Sequence, residues 1–258
     1  MNSSVVDFYT NEYDEDSRLS DKCDNRHIVE REVKRLIYDN ILKPNSNILE
    51  IGAGTGVHSL YLASKGHDVT ATDIVPKHFN KIKENASKLD LNINVRMEDA
   101  LALKINENSY DAVLLAGPIY HINNKSDKEK AIREASRVCK EGGVVFIDYL
   151  PIVHGLVQMC LRYPEYLEGC TEEDIDKLNC KDDIFSYDMA EDIEEMAHNC
   201  GIKHTKVYGT DGITRFIRND INSFKGNKLA KWIDIVFRLS QDRSIVGLSE
   251  HAMLVGYK

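Results

Sequence analysis

A chain of 258 residues that is 42% hydrophobic and 29% charged has the balance of an ordinary globular protein and the length for a sizeable core. Its formal charge of -9 argues against a nucleic-acid partner, whose phosphates require a positive surface. No apolar run approaches the roughly 18 residues that span a bilayer, so no membrane segment is expected. The start, Met1-Asn2-Ser3-Ser4 followed by acids, lacks the basic and apolar regions of a signal peptide. Six dispersed cysteines without a C-x-x-C pair read as free thiols, and the expected location is the cytoplasm. Cys160, Cys170 and Cys180 could gather a thiophilic metal or arsenic, but no spacing matches a usual zinc site and no metal is expected.

In chain order, the aromatic and acidic segment Phe8–Leu19 is unlike a floppy tail. Apolar positions at Ile28, Val29, Val33, Leu36, Ile37 and Ile41 give residues 26–42 a helical period, stopped by Pro44 and Asn45. Strands are then expected at 47–51, 68–72, 92–97, 110–116 and 143–149, with helices near 55–65, 76–89 and 126–139 between them. This alternation implies βαβ units and a doubly wound, parallel sheet. Past Pro151 the rhythm breaks. Residues 151–187 read as a helical insertion, followed by a helix near 188–200, a strand at 202–208, an inserted segment at 209–249 with a helix around Leu229–Leu239, and a last strand at 251–257. The expected division is 1–45, an N-terminal segment and helix; 46–150, the core; 151–187, the insertion; and 188–258, which completes the sheet. Both insertions leave the carboxyl edge of the sheet, where such segments form lids or substrate walls.

Ile48-Leu49-Glu50-Ile51-Gly52-Ala53-Gly54-Thr55-Gly56 is a short apolar strand ending in an acid and three alternating glycines. Glycines here bare the backbone N–H groups where a helix begins, and Thr55 is positioned to cap that helix. Val57 occupies the last glycine of the G-x-G-x-x-G fingerprint, which argues against a nicotinamide dinucleotide. Glu50 is unusual in a buried parallel strand, where a carboxylate is costly unless it finds donors. Asp73 falls at the end of the second strand, where a carboxylate can accept both hydroxyls of a ribose. Asp99 follows the third strand and can accept from an adenine amino group.

These residues, with Glu98–Ala100, Tyr110–Leu115 and the Arg137–Gly143 lead into Val144–Ile147, resemble the successive motifs of the class I S-adenosylmethionine (SAM) methyltransferases. The resemblance covers roughly residues 45–150 and implies a seven-stranded, mostly parallel sheet whose last strand is antiparallel. It implies SAM as cofactor and S-adenosylhomocysteine (SAH) as product, with Glu50 holding the methionine end. Gly52, Ala53, Gly54, Gly56, Asp73, Ile74, Asp99, Ala100 and Ala116 complete the implied cofactor site. Ala116-Gly117-Pro118-Ile119-Tyr120-His121 has the outline of the N-P-P-Y loop of enzymes that methylate exocyclic or amide nitrogens, but Gly117 replaces the acidic or amide residue. It looks more like the G-P-x-Y-H loop of small-molecule methyltransferases. Phe8–Leu19 resembles the Y-D-x-x-x-R-L leader of a bacterial small-molecule subgroup, which implies that Tyr13 and Arg18 close over the cofactor.

The expected reaction is therefore methyl transfer to nitrogen or oxygen of a small-molecule acceptor, by a monomer or homodimer. His121 is the candidate general base, because imidazole titrates near neutrality, and Tyr120 orients the acceptor or the sulfonium. His251, Asp148 and Tyr149 could face the same edge. A protein or RNA methyltransferase and a non-catalytic SAM-binding module are the alternative readings.

Overall fold

The computed structural model describes residues 3–13, 24–163, 165–178, 180, 182 and 184–258. A short helix, α1 (Ser3–Asp7), continues as one wider helical turn (Phe8–Glu12). The long helix α2 (Asn25–Ile41) precedes β1 (Asn47–Ile51), α3 (Val57–Ser64), β2 (Asp68–Asp73), α4 (Pro76–Lys88), β3 (Asn94–Met97), β4 (Tyr110–Leu115), α5 (Lys125–Val138) and β5 (Cys139–Tyr149). The remainder runs α6 (Ile152–Arg162), α7 (Glu172–Asp176), α8 (Ala190–Asn199), β6 (Lys203–Gly209), α9 (Asn227–Leu239), α10 (Arg243–Val246) and β7 (Ala252–Tyr257).

The seven strands form one sheet in the order β3-β2-β1-β4-β5-β7-β6. β1 to β5 pair in parallel, whereas β7 runs antiparallel between β5 and β6. The strand order reverses between β1 and β4, so the crevice beyond their carboxyl ends is where an open α/β sheet receives a ligand. Alternation along the strands divides the core. Leu49, Ile51, Val113 and Ile147 pack with Ala131, Ile132 and Ala135 of α5 and with Ile193, Met196 and Ala197 of α8. Ile48, Leu114 and Phe146 pack with Val29, Val33 and Ile37 of α2 on the opposite face. Each such fully buried side chain stabilises the fold by about 1.5–3 kcal/mol.

The expected elements appear within a few residues of their anticipated ends, and two local features differ. β5 starts at Cys139 rather than 143, with a register irregularity against β4. Thr55 does not cap α3: Gly56 is the N-cap, in a left-handed conformation at φ 87°, and Thr55 Oγ1 is buried with no hydrogen-bond partner among the described residues. α2, by contrast, has a true cap, Asp24 accepting from the Arg26 N–H. No described helix is long and apolar enough to cross a membrane.

Candidate functional site

The turn after β1 is held from β2. Gly52 and Ala53 donate to the carbonyl of Thr72, and Gly54 donates to Asp73 Oδ2 at 2.8 Å. Asp73 Oδ1 accepts from Val75 N–H at 2.8 Å, and His78 Nδ1 lies 3.3 Å from Oδ2. One carboxylate thus shapes both the glycine turn and the entry to α4, and its remaining lone pairs are available to a ligand. Gly52 has φ 79°, and a Cβ there would lie 2.6 Å from the Ala116 carbonyl and 2.6 Å from the Pro118 ring. Only glycine lets the two loops meet so closely.

A partly open cavity lies between these loops. Gly52, Gly54, Asp73, Ile74 and Ala100 line it, and Gly117, Tyr120 and His121 close its far side. Val5 and Tyr9 from the N-terminal helical segment cover it. Of the other expected cofactor residues, Ala53, Gly56 and Ala116 are not part of this lining. Glu50 is buried beneath the glycine turn, accepting from the Ser59 hydroxyl of α3. Burial pushes its carboxyl up to about 7, although the hydrogen bonds from Ser59 pull the other way. Asp99 accepts from Leu101 N–H at 3.0 Å, and it is the neighbouring Glu98, ion-paired with Arg96, that lines the cavity. Tyr13 stacks on Phe8 with ring centroids 5.3 Å apart, and Arg18 lies outside the described residues.

Gly117 has φ 112°, a conformation glycine adopts readily and an L side chain resists. The turn it makes points the next four residues back across the strand ends, so that Tyr120 and His121 face the cavity. His121 Nδ1 donates to the Ile184 carbonyl at 3.0 Å, which leaves Nε2 to accept from the Tyr9 hydroxyl at 2.9 Å. In this arrangement both ring nitrogens are engaged, and His121 acts as a base only after Tyr9 moves away.

A second cavity, of about 570 Å³, adjoins the first across Tyr9 and Tyr120, which line both. Leu150, His154, Phe185, Tyr187 and His251 form its other walls, with Tyr13, Gln158 and Arg162. Most of these come from the 151–187 insertion. Burial pulls His154 down to about 3, so its imidazole is neutral, and its buried Nδ1 has no hydrogen-bond partner among the described residues. Beneath this cavity, Lys34 of α2 bridges Glu30 at 2.9 Å and Asp148 at 2.7 Å. Burial works against its ammonium, but Asp148 and Glu30 overcome that and hold Lys34 above the ordinary lysine range. The sequence gives His78 and Asp211 no role, and names Tyr9 only within Phe8–Leu19 and Glu98 only within the Glu98–Ala100 motif. They come from separate elements, and nothing in their spacing announces that they converge.

Cys180 is pushed up to about 11, by burial first and then by Asp182, with Cys160 and Cys170 adding to the effect. Among the described residues no group of three His, Cys, Asp or Glu side chains is arranged to hold a metal ion.

Residues 48–143 match a family described as a methyltransferase domain. A ubiquinone/menaquinone biosynthesis C-methyltransferase of Zymomonas mobilis is 36% identical over 105 residues, covering 40% of this chain and 42% of that protein. A glycine/sarcosine N-methyltransferase of Parasynechococcus marenigrum is 29% identical over 151 residues, covering 56% of this chain and 52% of that one. The chain thus spans about half the length of the curated relatives it matches. A crystal structure from Thermotoga maritima, described as a SAM-dependent methyltransferase and possible histamine N-methyltransferase, superposes with a TM-score of 0.59 at 15% identity. That match covers 99% of this chain and 98% of the other, and at such identity it speaks for the fold alone. Residues 48–143 thus match a methyltransferase domain, and the sheet around them has the fold of the class I SAM-dependent methyltransferases.

Proposed function

We propose that this protein transfers a methyl group from SAM to an oxygen or nitrogen of a small-molecule acceptor. The observation that carries the reading is the pair of cavities that meet at Tyr9 and Tyr120 on the carboxyl edge of the sheet. The first suits the methyl donor: its glycine turn leaves backbone N–H groups bare, and Asp73 ends β2 with lone pairs to spare for a ribose. Asp73 holds the ribose in this reading, Ile74, Glu98, Asp99 and Ala100 surround the adenine, and Gly52, Ala53, Gly54, Gly56 and Ala116 shape the turn. Glu50 supports the methionine end from below through the glycine turn, and Tyr13 closes the cover with Tyr9. When bound, SAM supplies an electrophilic methyl on a positively charged sulfur.

The protein's own share is orientation and exclusion of water. Holding an acceptor lone pair in line with the methyl can supply roughly 7–11 kcal/mol of the barrier. Tyr120, at the junction of the cavities, is the residue for that task, and His121 positions the wall by fixing the Tyr9 hydroxyl. The aromatic walls of the second cavity, Tyr9, Tyr120, Phe185 and Tyr187, support a small acceptor. The relatives differ in the atom they methylate, carbon in one name and nitrogen in the other. The choice of oxygen or nitrogen here rests on the polar lining of the second cavity.

Calorimetric titration with SAH, followed by a metabolite screen for SAM-to-SAH conversion, tests the reading. Wild type should bind SAH, and Asp73→Asn should bind it about ten- to a hundredfold more weakly, as expected for hydrogen bonds to a charged group worth about 1.5–3 kcal/mol. Unchanged affinity would remove Asp73 from the ribose. Absence of any SAH binding would refute the assignment of the first cavity.

A further inference from the structure

We infer that the second cavity receives a small acceptor bearing a carboxylate, and that Arg162, Gln158 and His154 of α6 hold that group. This deepens the proposed function and rests on the first cavity holding the methyl donor. His154, Gln158 and Arg162 stand four residues apart, so the helical repeat sets them in one row along α6. All three line the second cavity, and none lines the first. The row therefore serves the acceptor and not the donor.

Charge decides which acceptor. Among the described residues no Asp or Glu lines the second cavity, and Arg162 is the one permanently charged side chain that does. Its guanidinium has no ion pair or hydrogen bond among the described residues. The other charges of this region are matched. Arg26 is paired with Asp24 at 3.1 Å and Glu250 at 3.2 Å, and Lys34 is shared by Glu30 and Asp148. Asp211 accepts from His251 Nδ1 at 2.8 Å and from the Glu250 N–H at 2.8 Å. Arg215, on the turn Gly212–Ile217 of the second insertion, has no ion pair among the described residues either. His154 feels the excess: burial does most to keep its imidazole neutral, and the groups that add to it, His251, Arg215, Arg162 and Arg26, are all basic. Burial also raises Tyr187, and Arg162 opposes that rise, so the guanidinium is within electrostatic reach of the aromatic wall.

A guanidinium takes a carboxylate through two parallel N–H bonds, while a flat or apolar body packs on the rings of Tyr9, Tyr120, Phe185 and Tyr187. Gln158 adds amide N–H groups. His154 Nδ1, buried without a partner among the described residues, can carry the single N–H of the neutral ring. Tyr9 and Tyr120 line both cavities and Arg162 only the second. The acceptor therefore lies with its carboxylate away from the donor, and the methyl goes to another oxygen or nitrogen of the same molecule.

Salicylate, salicylamide and 2-hydroxybenzylamine share a ring and differ in the charge of one substituent. Titrated by calorimetry into SAH-saturated protein at neutral pH, salicylate should bind about tenfold more tightly than the amide. That is the lower end for a hydrogen bond to a charged group, because Arg162 is exposed to water. The amine should bind most weakly. Arg162→Gln should bring salicylate to the affinity of the amide, Arg162→Lys should keep part of the preference, and Arg162→Glu should reverse it in favour of the amine. SAH affinity should stay as in wild type in all three variants. A role confined to the last carbonyls of α6 would lower the Tm of Arg162→Gln and leave the salicylate-to-amide ratio untouched. That result overturns the inference, as does equal binding of the three probes to wild type, or binding of none. Failure of SAH to bind would count instead against the first cavity, while the same probes without SAH still read the preference of the second.

Discussion

Replacing Gly52 by alanine tests the account of the cofactor turn most directly, because the structure separates its two costs. The first is conformational: φ is 79° at Gly52, and a left-handed backbone costs an L-residue about 1–2 kcal/mol. The second is steric, since the added Cβ would stand 2.6 Å from both the Ala116 carbonyl oxygen and the Pro118 Cδ. Backbone and a proline ring cannot swing aside as a flexible side chain would, so an overpacking cost of about 1–3 kcal/mol applies. Gly142 supplies the control, with φ 71° and nothing within 4 Å of its Cβ position. Gly142→Ala carries only the conformational cost, and both variants share the opposing gain of about 0.4–1 kcal/mol from a stiffer unfolded chain. Subtracting one from the other leaves the clash. Urea unfolding should find Gly52→Ala about 1–3 kcal/mol less stable than Gly142→Ala. Relief of the clash must also push the Ala116–Pro118 turn away from the cavity, so SAH affinity should fall in Gly52→Ala alone. Equal stability of the two variants, with unimpaired SAH binding, would refute the close approach of these loops.

Glu50 should make stability depend on pH. A carboxyl raised from its usual 4.5 to about 7 binds more protons folded than unfolded between those values. Its contribution is fully present below pH 4.5 and lost as pH rises through about 7. Between about pH 5 and 8, wild type should therefore lose on the order of 2–3 kcal/mol relative to Glu50→Gln in denaturant titrations. Parallel curves for the two proteins would mean that Glu50 is solvated or better paired. Lys34→Met should cost about 3–5 kcal/mol at neutral pH, because it strands the buried carboxylates of Glu30 and Asp148. Most of that loss should be recovered when Asp148→Leu is added, and a double variant no more stable than the single one would dismiss the stranded charge as the cause.

The scaffold was legible because each of its signals is local. The apolar runs at Ile48–Ile51 and Val144–Ile147, the 3.6-residue period of Val29, Val33 and Ile37, and the stops at Pro44 and Asn45 each act within a few residues. The glycine turn was legible in outline and misjudged in detail. Gly52 reads from sequence as room for a ligand, yet its nearest demand comes from the chain itself, the Ala116 carbonyl and Pro118 of another loop. Thr55 reads as a cap, but the left-handed Gly56 takes that place, and the threonine hydroxyl turns inward. Glu98 and Asp99 are adjacent, so sequence order cannot say which faces the cavity. Tyr9 was beyond reach for a different reason. Its hydroxyl meets His121 across 112 positions of chain, through packing of a short helix that owes its place to the cavity it covers.

The same distinction separates His121 from His251. His121 belongs to a motif and so attracts attention, but a motif reports where a residue lies in the chain and not what its nitrogens touch. Its Nδ1 is committed to the Ile184 carbonyl and its Nε2 to Tyr9, which fits a ring used to brace the partition between two cavities. His251 belongs to no motif. It owes its position to the antiparallel pairing of β7 with β6, which returns the chain to the carboxyl edge after an insertion of some forty residues. Because Thr210 and His251 are tied there by a backbone hydrogen bond of 3.0 Å, the insertion can vary without moving the Asp211–His251 pair. The fold thus brings two structures to one edge: the glycine turn after a parallel strand, and the Asp211–His251 pair at the end of the antiparallel hairpin.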